Sequence, residues 1–395
     1  MPTTIEKSLT VHKSWAASVR RIDAATPPHR DRAADALRAL AIVGVVLGHW
    51  LVTAFVDTGD GLGVRSPLAD MPAFTPVSWV LQTLAVFFLV GGYSGALSLR
   101  GAEVPHGTRV RARMGRLFRP AAVLLGVWAA AVSVLTWAGL DLGTLRSMVK
   151  LVFSPLWFLV VYAALTALTP AVAALWRRTR WYGLALLVAL VAAVDAGRFA
   201  WDGPSWLGWV NILAGWLVPY FLGVAWAHGA FTARRTAYAL LAGGATATIV
   251  LVLAAGYPAS MVGVPGATVS NLNPPTLAAV AFGLAQVGLA MLVREPLARA
   301  MRRPGLWAVV ALANLSAMTV FLWHQTAMMA ATVSLRAAGT LPGLHTAPDH
   351  ALWVPQRLAW LPVFAAVLAA LWAVFHRFER GTPARRRAAK SVDPG

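Results

Sequence analysis

Apolar positions along this 395-residue chain form long unbroken runs, divided by short segments that carry most of the charge. A run of about 20 apolar residues is long enough to cross a bilayer as a helix. Ten such runs fall at 35–56, 77–99, 119–139, 155–176, 181–200, 206–227, 236–256, 275–293, 307–333 and 353–376. The pattern predicts an all-α, polytopic membrane bundle of about ten transmembrane helices. Only Arg177, Arg178 and Arg180 divide the fourth run from the fifth. Residues 1–34 hold no apolar run and read as a disordered basic tail without a cleavable signal peptide. The membrane domain takes 35–380, and a Pro/Arg/Ala/Ser tail follows over 381–395. Three longer loops (57–76, 256–274 and 336–352) are rich in Gly, Pro and Asp; they are suited to covering a site but not to folding alone.

Charge changes the picture in one respect. The net charge of +19 resembles a nucleic-acid footprint. The basic residues, however, sit in alternate loops. One set of segments holds 27 of the 34 Lys and Arg; the other holds six: Arg65, Arg146, Lys150, Arg198, Arg336 and Arg357. That asymmetry is the positive-inside pattern. It predicts cytosolic termini, a multi-pass protein of the cytoplasmic membrane in contact with its lipids, and no nucleic-acid partner. The chain has no cysteine, which excludes disulfides, thiolate catalysis and Cys-ligated metal centres. Its 18 tryptophans suit a protein with two membrane interfaces.

Candidate chemistry concentrates in the first run. Charged and titratable groups inside a span are costly and mark function by default. Arg38 and His49 are 11 residues apart. In a helix that is about 20° beyond three full turns and a rise of about 16 Å, so both lie on one face. Asp35 joins that face and can pair with Arg38 at i, i+3, and Thr53 continues it beyond His49. With Arg38 at the cytosolic edge, His49 lies near or just past the membrane centre. The interval is close to the reach of a pantetheine arm. An acyl-CoA could keep its phosphates among arginines and bring its thioester to His49, whose imidazole suits proton transfer near neutral pH. The alternative is that Arg38 snorkels to the interface and His49 packs.

Arg-x10-His at the start of the first helix resembles the acyltransferase 3 family of integral-membrane acyltransferases, which includes bacterial O-acetylases of surface polysaccharide. Asp35-x-Leu37-Arg38-x-Leu40-Ala41 is similar to the family's opening. Phe87-Phe88-Leu-Val-Gly91-Gly92-Tyr93, Arg109-Val-Arg111-Ala-Arg113-Met-Gly-Arg116-Leu-Phe-Arg119-Pro120, Leu156-Trp157-Phe158-Leu159 and Ser316-Ala-Met-Thr319-Val-Phe321-Leu322-Trp323-His324 resemble further family segments in the same order. Two positions depart: Gly91 stands where the family usually has Ser, and Phe321 where Tyr is common.

The resemblance implies transfer of an acyl group, most simply acetyl, from acyl-CoA. The acceptor is a hydroxyl of a sugar, a glycoconjugate or a lipid-linked carrier. No tightly bound cofactor or metal is implied; acyl-CoA is a cosubstrate. His49, Arg38 and Asp35 become the catalytic candidates, with His49 as general base or acyl carrier and Asp35 orienting Arg38. Arg38, Arg113, Arg116 and Arg100 become candidates for the CoA phosphates, since guanidinium suits bidentate phosphate contact; the alternative for the loop arginines is contact with lipid headgroups. Trp157, Tyr162 and His324 are substrate-side candidates. Trp157 and Tyr162 also read as interfacial belt residues. Asn314, Ser316 and Thr319 read as hydrogen-bonding between helices, Asp195–Arg198 as an i, i+3 ion pair, and Asn211, Tyr220, Asn271 and Asn273 as candidates for an acceptor path. Gly59-Asp-Gly61-Leu-Gly63 follows no strand and is no dinucleotide fingerprint. The rival class is a proton-coupled transporter of a lipid or small molecule; such proteins often show two related halves and several intramembrane carboxylates. Here no halves are evident, and Asp35 and Asp195 are both near span ends.

Overall fold

In the computed structural model the described residues are 15–59, 61–100 and 104–379. They form an almost wholly helical bundle with one two-stranded hairpin. Eight helices among them are long and apolar enough to cross a membrane, and a bent pair makes a ninth if counted as one span. The chain is therefore a multi-pass membrane bundle, with helices in all ten expected segments. The seventy-seventh to ninety-ninth residues hold a helix only over Leu84–Leu97, 14 residues, a rise of about 21 Å against a hydrocarbon core of about 30 Å.

Helix α1, Arg32–Val52, runs through the centre of the bundle. Asp31 caps it by accepting from the amides of Ala33 and Ala34. The expected tail 1–34 is corrected here: residues 15–24 are helical, and Trp307 Nε1 donates to Thr26 Oγ1 at 2.8 Å. Residues 1–14 and 381–395, expected as disordered tails, lie outside the described residues.

After α1 the chain makes the hairpin β1–β2 (Ala54–Asp57 and Leu62–Arg65). Arg336 clamps its tip by a bidentate contact to Asp57, which holds that carboxyl below the usual carboxylate range. Then follow α2 (Leu84–Leu97), α3 (His106–Trp137), α4 (Leu142–Phe153), α5 (Trp157–Ala167) and α6 (Thr169–Thr179). Helix α4 lies in a segment expected to be loop. Its buried Leu145, Met148 and Val152 repeat at three to four residues and face the bundle, which explains the helix. Next come α7 (Trp181–Phe199), α8 (Gly208–Ala227), α9 (Arg234–Ala254), α10 (Leu277–Ala300), α11 (Pro304–Leu315), α12 (Ala317–Leu335) and α13 (Trp353–Glu379).

Two features position the site. First, the ninth expected span breaks at Ser316, where α11 and α12 meet at 72°. The freed amides of Met318 and Thr319 donate to the Glu379 carboxylate at 3.0 Å each, and the Thr319 hydroxyl joins them at 2.7 Å. Second, α2 and α8 touch through glycines. A Cβ on Gly223 would stand 2.0 Å from the Leu89 carbonyl oxygen, and one on Gly92 would stand 2.0 Å from that of Tyr220. Small residues allow such backbone approach in membranes. Gly223→Ala is expected to destabilise the bundle by at least about 1–3 kcal/mol, the usual range for overpacking. Size-exclusion of solubilised protein should show loss of the monodisperse peak; an unchanged profile and melting temperature would contradict the packing described.

Candidate active site

His49 lies in the last turn of α1 and opens onto a cavity of about 570 Å³. The wall includes the C-terminal half of α1, parts of α4 and α5, and two of the loops expected to cover a site: the hairpin through Val64 and Arg65, and the 256–274 loop through Val262, Ser270 and Asn273. Trp157, Phe158 and Phe321 supply aromatic surface. Gln82 and Gln325 are buried on the same wall, and each has a side-chain oxygen without a hydrogen-bond partner. Buried polar atoms normally find a partner, so this lining suits a ligand rich in hydroxyl groups.

Behind His49 stands α12. Gln325 Nε2 lies 2.9 Å from His49 Nδ1, and the His49 and His324 ring centroids are 5.0 Å apart. His324 Nδ1–H donates to the Phe321 carbonyl, so its tautomer leaves a lone pair on Nε2, which is buried without a partner. The Gln325 amide has two orientations. With its NH2 toward His49 Nδ1, the His49 proton sits on Nε2. With its carbonyl toward Nδ1–H, the orphaned oxygen gains a partner and His49 Nε2 becomes a free base. Either orientation leaves the other end of the Gln325 amide facing away from His49, and only the second leaves His49 Nε2 as a free base.

The backbone around His49 is also held. Trp50 Nε1 donates to the His324 carbonyl at 2.9 Å. Arg357, wholly buried near the start of α13, donates from Nε to the Trp50 carbonyl and from Nη2 to that of Thr53, both at 2.7 Å. Its Nη1 reaches the Gly343 carbonyl at 3.2 Å, and its guanidinium lies over the Phe364 ring at 4.8 Å. The Trp50 and Thr53 carbonyls are the ones left unpaired at the end of α1.

The other end of α1 holds a cluster of arginines. Asp35 is buried and accepts a bidentate contact from Arg30, at 2.5 and 2.9 Å, with Arg38 at 3.5 Å. The expected Asp35–Arg38 pair is present, but Arg30 is the nearer partner. Arg38 Nη2 donates to Ser94 Oγ at 3.0 Å, and Arg30 and Arg113 lie within electrostatic range of it. Arg113 donates to the Tyr162 hydroxyl and covers its ring at 5.4 Å. Arg109, one turn earlier on α3, has a buried Nε without a partner. Arg100 bonds to the Ala227 carbonyl, and Arg116 faces outward.

The sequence candidates therefore divide. His49, Thr53, Trp157 and Asn273 line the cavity, with His324 directly behind His49. Arg38, Asp35, Arg113 and Tyr162 form a second centre, and none of them lines the cavity. Phe158 links the two: it lines the cavity and stacks on Tyr162 at 6.0 Å, and Phe87 packs against both. The expected acceptor-path residues Asn211 and Tyr220 do not reach this cavity. Asn211 bonds to Asp195, Tyr220 to Thr169, and Asn271 holds the 256–274 loop through the Pro258 and Ser260 carbonyls. Sequence reasoning missed Arg30, Gln82, Gln325 and Arg357 as candidates; the only signal for Arg357 and Gln325 was a polar side chain within an apolar run.

A family described as an acyltransferase domain, acyltransferase 3, matches residues 31–376, nearly the whole chain. The chain belongs to the acyltransferase 3 family. No curated protein and no solved structure matches it. As a family member it is a membrane acyltransferase, and its two departures have local reasons. A Cβ on Gly91 would stand 2.7 Å from the Tyr162 ring, so glycine makes room for the tyrosine that holds Arg113. Phe321 packs on Phe158 at 5.3 Å in the cavity wall, where its ring needs no hydroxyl partner.

Proposed function

We propose that this acyltransferase moves an acyl group, most simply acetyl, from cytosolic acyl-CoA to a hydroxyl of a sugar, glycoconjugate or lipid-linked acceptor at the cytoplasmic membrane. The observation that carries the reading is the placement of His49 on a hydroxyl-seeking cavity, with Arg38 three turns down the same helix and Arg113 of α3 within electrostatic range of it. The arginines take the CoA phosphates, with Asp35 and Arg30 fixing Arg38. Gln325 orients the His49 ring.

Two chemistries share this arrangement. In direct transfer, His49 Nε2 takes the acceptor's hydroxyl proton as its oxygen attacks the thioester carbonyl; the C–S bond breaks and the CoA thiolate recovers the proton. In the stepwise route, His49 Nε2 attacks the thioester carbonyl, the C–S bond breaks and the CoA thiolate takes the ring's Nδ1 proton; the acceptor oxygen then attacks the acyl-imidazole, the C–N bond breaks and the acceptor's proton returns to the ring. Neither Arg38 nor Arg113 lines the cavity, so in either route the thioester must reach across from them to His49, and the stepwise route alone leaves a covalent adduct by which it can be tested.

The test uses purified protein and radiolabelled acetyl-CoA without acceptor. The expected result is stoichiometric CoA release with label held on the protein as a hydroxylamine-labile adduct; CoA retained in full until acceptor is added would point to direct transfer. In the same assay Arg38→Ala should raise the KM for acetyl-CoA by about 10–100-fold, the loss expected for hydrogen bonds to a charged group. An unchanged KM would reduce Arg38 to an interfacial anchor.

A further inference from the structure

We infer that the acceptor entering this cavity carries an acidic group, a carboxylate or a phosphate, received by Lys150. The inference rests on the acyltransferase reading above and adds the charge of the acceptor to it. Among the residues lining the cavity the only Lys or Arg are Arg65 and Lys150, and there is no Asp or Glu. Arg65 is already bonded to Asp70 at 2.6 Å. Lys150 has no ion pair or side-chain hydrogen bond with any described residue. It is scarce as well as unpaired. Of the six basic residues in its set of segments, Arg336 holds Asp57, Arg198 lies 3.8 Å from Asp195, and Arg357 is consumed by backbone carbonyls. Arg146 has no ion pair among the described residues, but it does not line the cavity. Among the residues lining the cavity Lys150 alone is a cation without a carboxylate partner, and it stands on the wall that also holds His49, Trp157, the orphaned amide oxygen of Gln82 and the free end of the Gln325 amide.

Each part of that wall selects a different part of one ligand. Amide oxygens accept from hydroxyls, an indole face covers a sugar ring, and an ammonium without a carboxylate neighbour receives an anion. A neutral sugar would satisfy the first two and leave Lys150 unused. Lys150 also sits in the last turn of α4, where a cation complements the helix dipole. That role explains its helix position but not its presence on the cavity wall.

The experiment measures incorporation of radiolabelled acetyl into membranes that contain the native acceptor and the full-length protein. Glucose, glucuronate and glucose 1-phosphate, which share one pyranose ring, are added as competitors at constant ionic strength. For wild type, at least one acidic sugar should inhibit at about tenfold lower concentration than glucose, the scale of one charge-assisted contact. The better of the two acids distinguishes a carboxylate-bearing acceptor from a phosphate-bearing one. Lys150→Gln should erase the gap, and Lys150→Arg should keep it. Arg146→Glu, on the same helix but off the wall, should keep it too, which separates cavity binding from a general membrane-surface effect. Equal inhibition by all three sugars in wild type, or a gap that survives Lys150→Gln, overturns the inference. If Lys150→Gln incorporates nothing, restoration by Lys150→Arg supports a required cation, and failure of both overturns it. Wild-type membranes that incorporate no acetyl would remove the donor reading itself, a separate and visible failure.

Discussion

Alanine at position 49 is expected to lower acyl transfer by about 10²–10⁴-fold, the range of a positioned acid–base group, and to abolish any acyl adduct on the protein. The KM for acetyl-CoA should change little, because the arginines proposed to take its phosphates lie around the other end of α1. The geometry sharpens this expectation. Gln325 contacts only Nδ1 of His49, so Nε2 is the atom left for chemistry. Gln325→Ala should therefore produce a smaller loss of the same kind, since it loosens the ring without removing it. The measurement is initial rate and KM with radiolabelled acetyl-CoA, on protein shown to elute as wild type does. Transfer by His49→Ala at the parental rate would remove the role assigned to this histidine and turn attention to His324, the other imidazole beside it.

The second large effect concerns Arg357. Arg357→Met should strand three carbonyls, those of Trp50, Thr53 and Gly343, in a site closed to water. Each buried acceptor left unpaired costs about 1–3 kcal/mol, so most of the stability of an ordinary domain is at stake. Thermal unfolding followed by size-exclusion should show a large fall in melting temperature. Lys in this position restores charge but not the three-way fork, and is expected to recover only part of the loss. A melting temperature unchanged in Arg357→Met would mean that the end of α1 is held by other contacts. Variants that fold but transfer slowly, with normal KM for donor, would place the damage at His49 itself.

The legible part of this protein was what a single helix can encode. Run length named the bundle, and 3.6-residue periodicity paired Asp35 with Arg38 and set His49 three turns further on. The illegible part was what two helices make together. His49 and Gln325 are 276 residues apart, and Trp50 and Arg357 are 307 apart; no pattern within one span points across to its neighbour. Helix α4 escaped for a different reason: at 12 residues it is too short for the criterion that finds spans, although its buried positions repeat regularly. The break at Ser316 carries no proline or glycine. Its polar neighbours did carry information, since Asn314 bonds to the Asp35 carbonyl and Thr319 to Glu379, the interhelical role expected for them. Lys150 was counted as one more outer cation, and only the cavity set it apart.

The carboxylate of Glu379 ties the second half of the broken helix to the final turn described for the chain. His49 is thus made early in synthesis, while the clamp on its helix, Arg357, and the cap on its neighbour, Glu379, are made more than three hundred residues later. A ribosome that stalls before the last span leaves an imidazole in the membrane with neither of these supports. The surroundings of His49 are therefore complete only once α13 has joined the bundle.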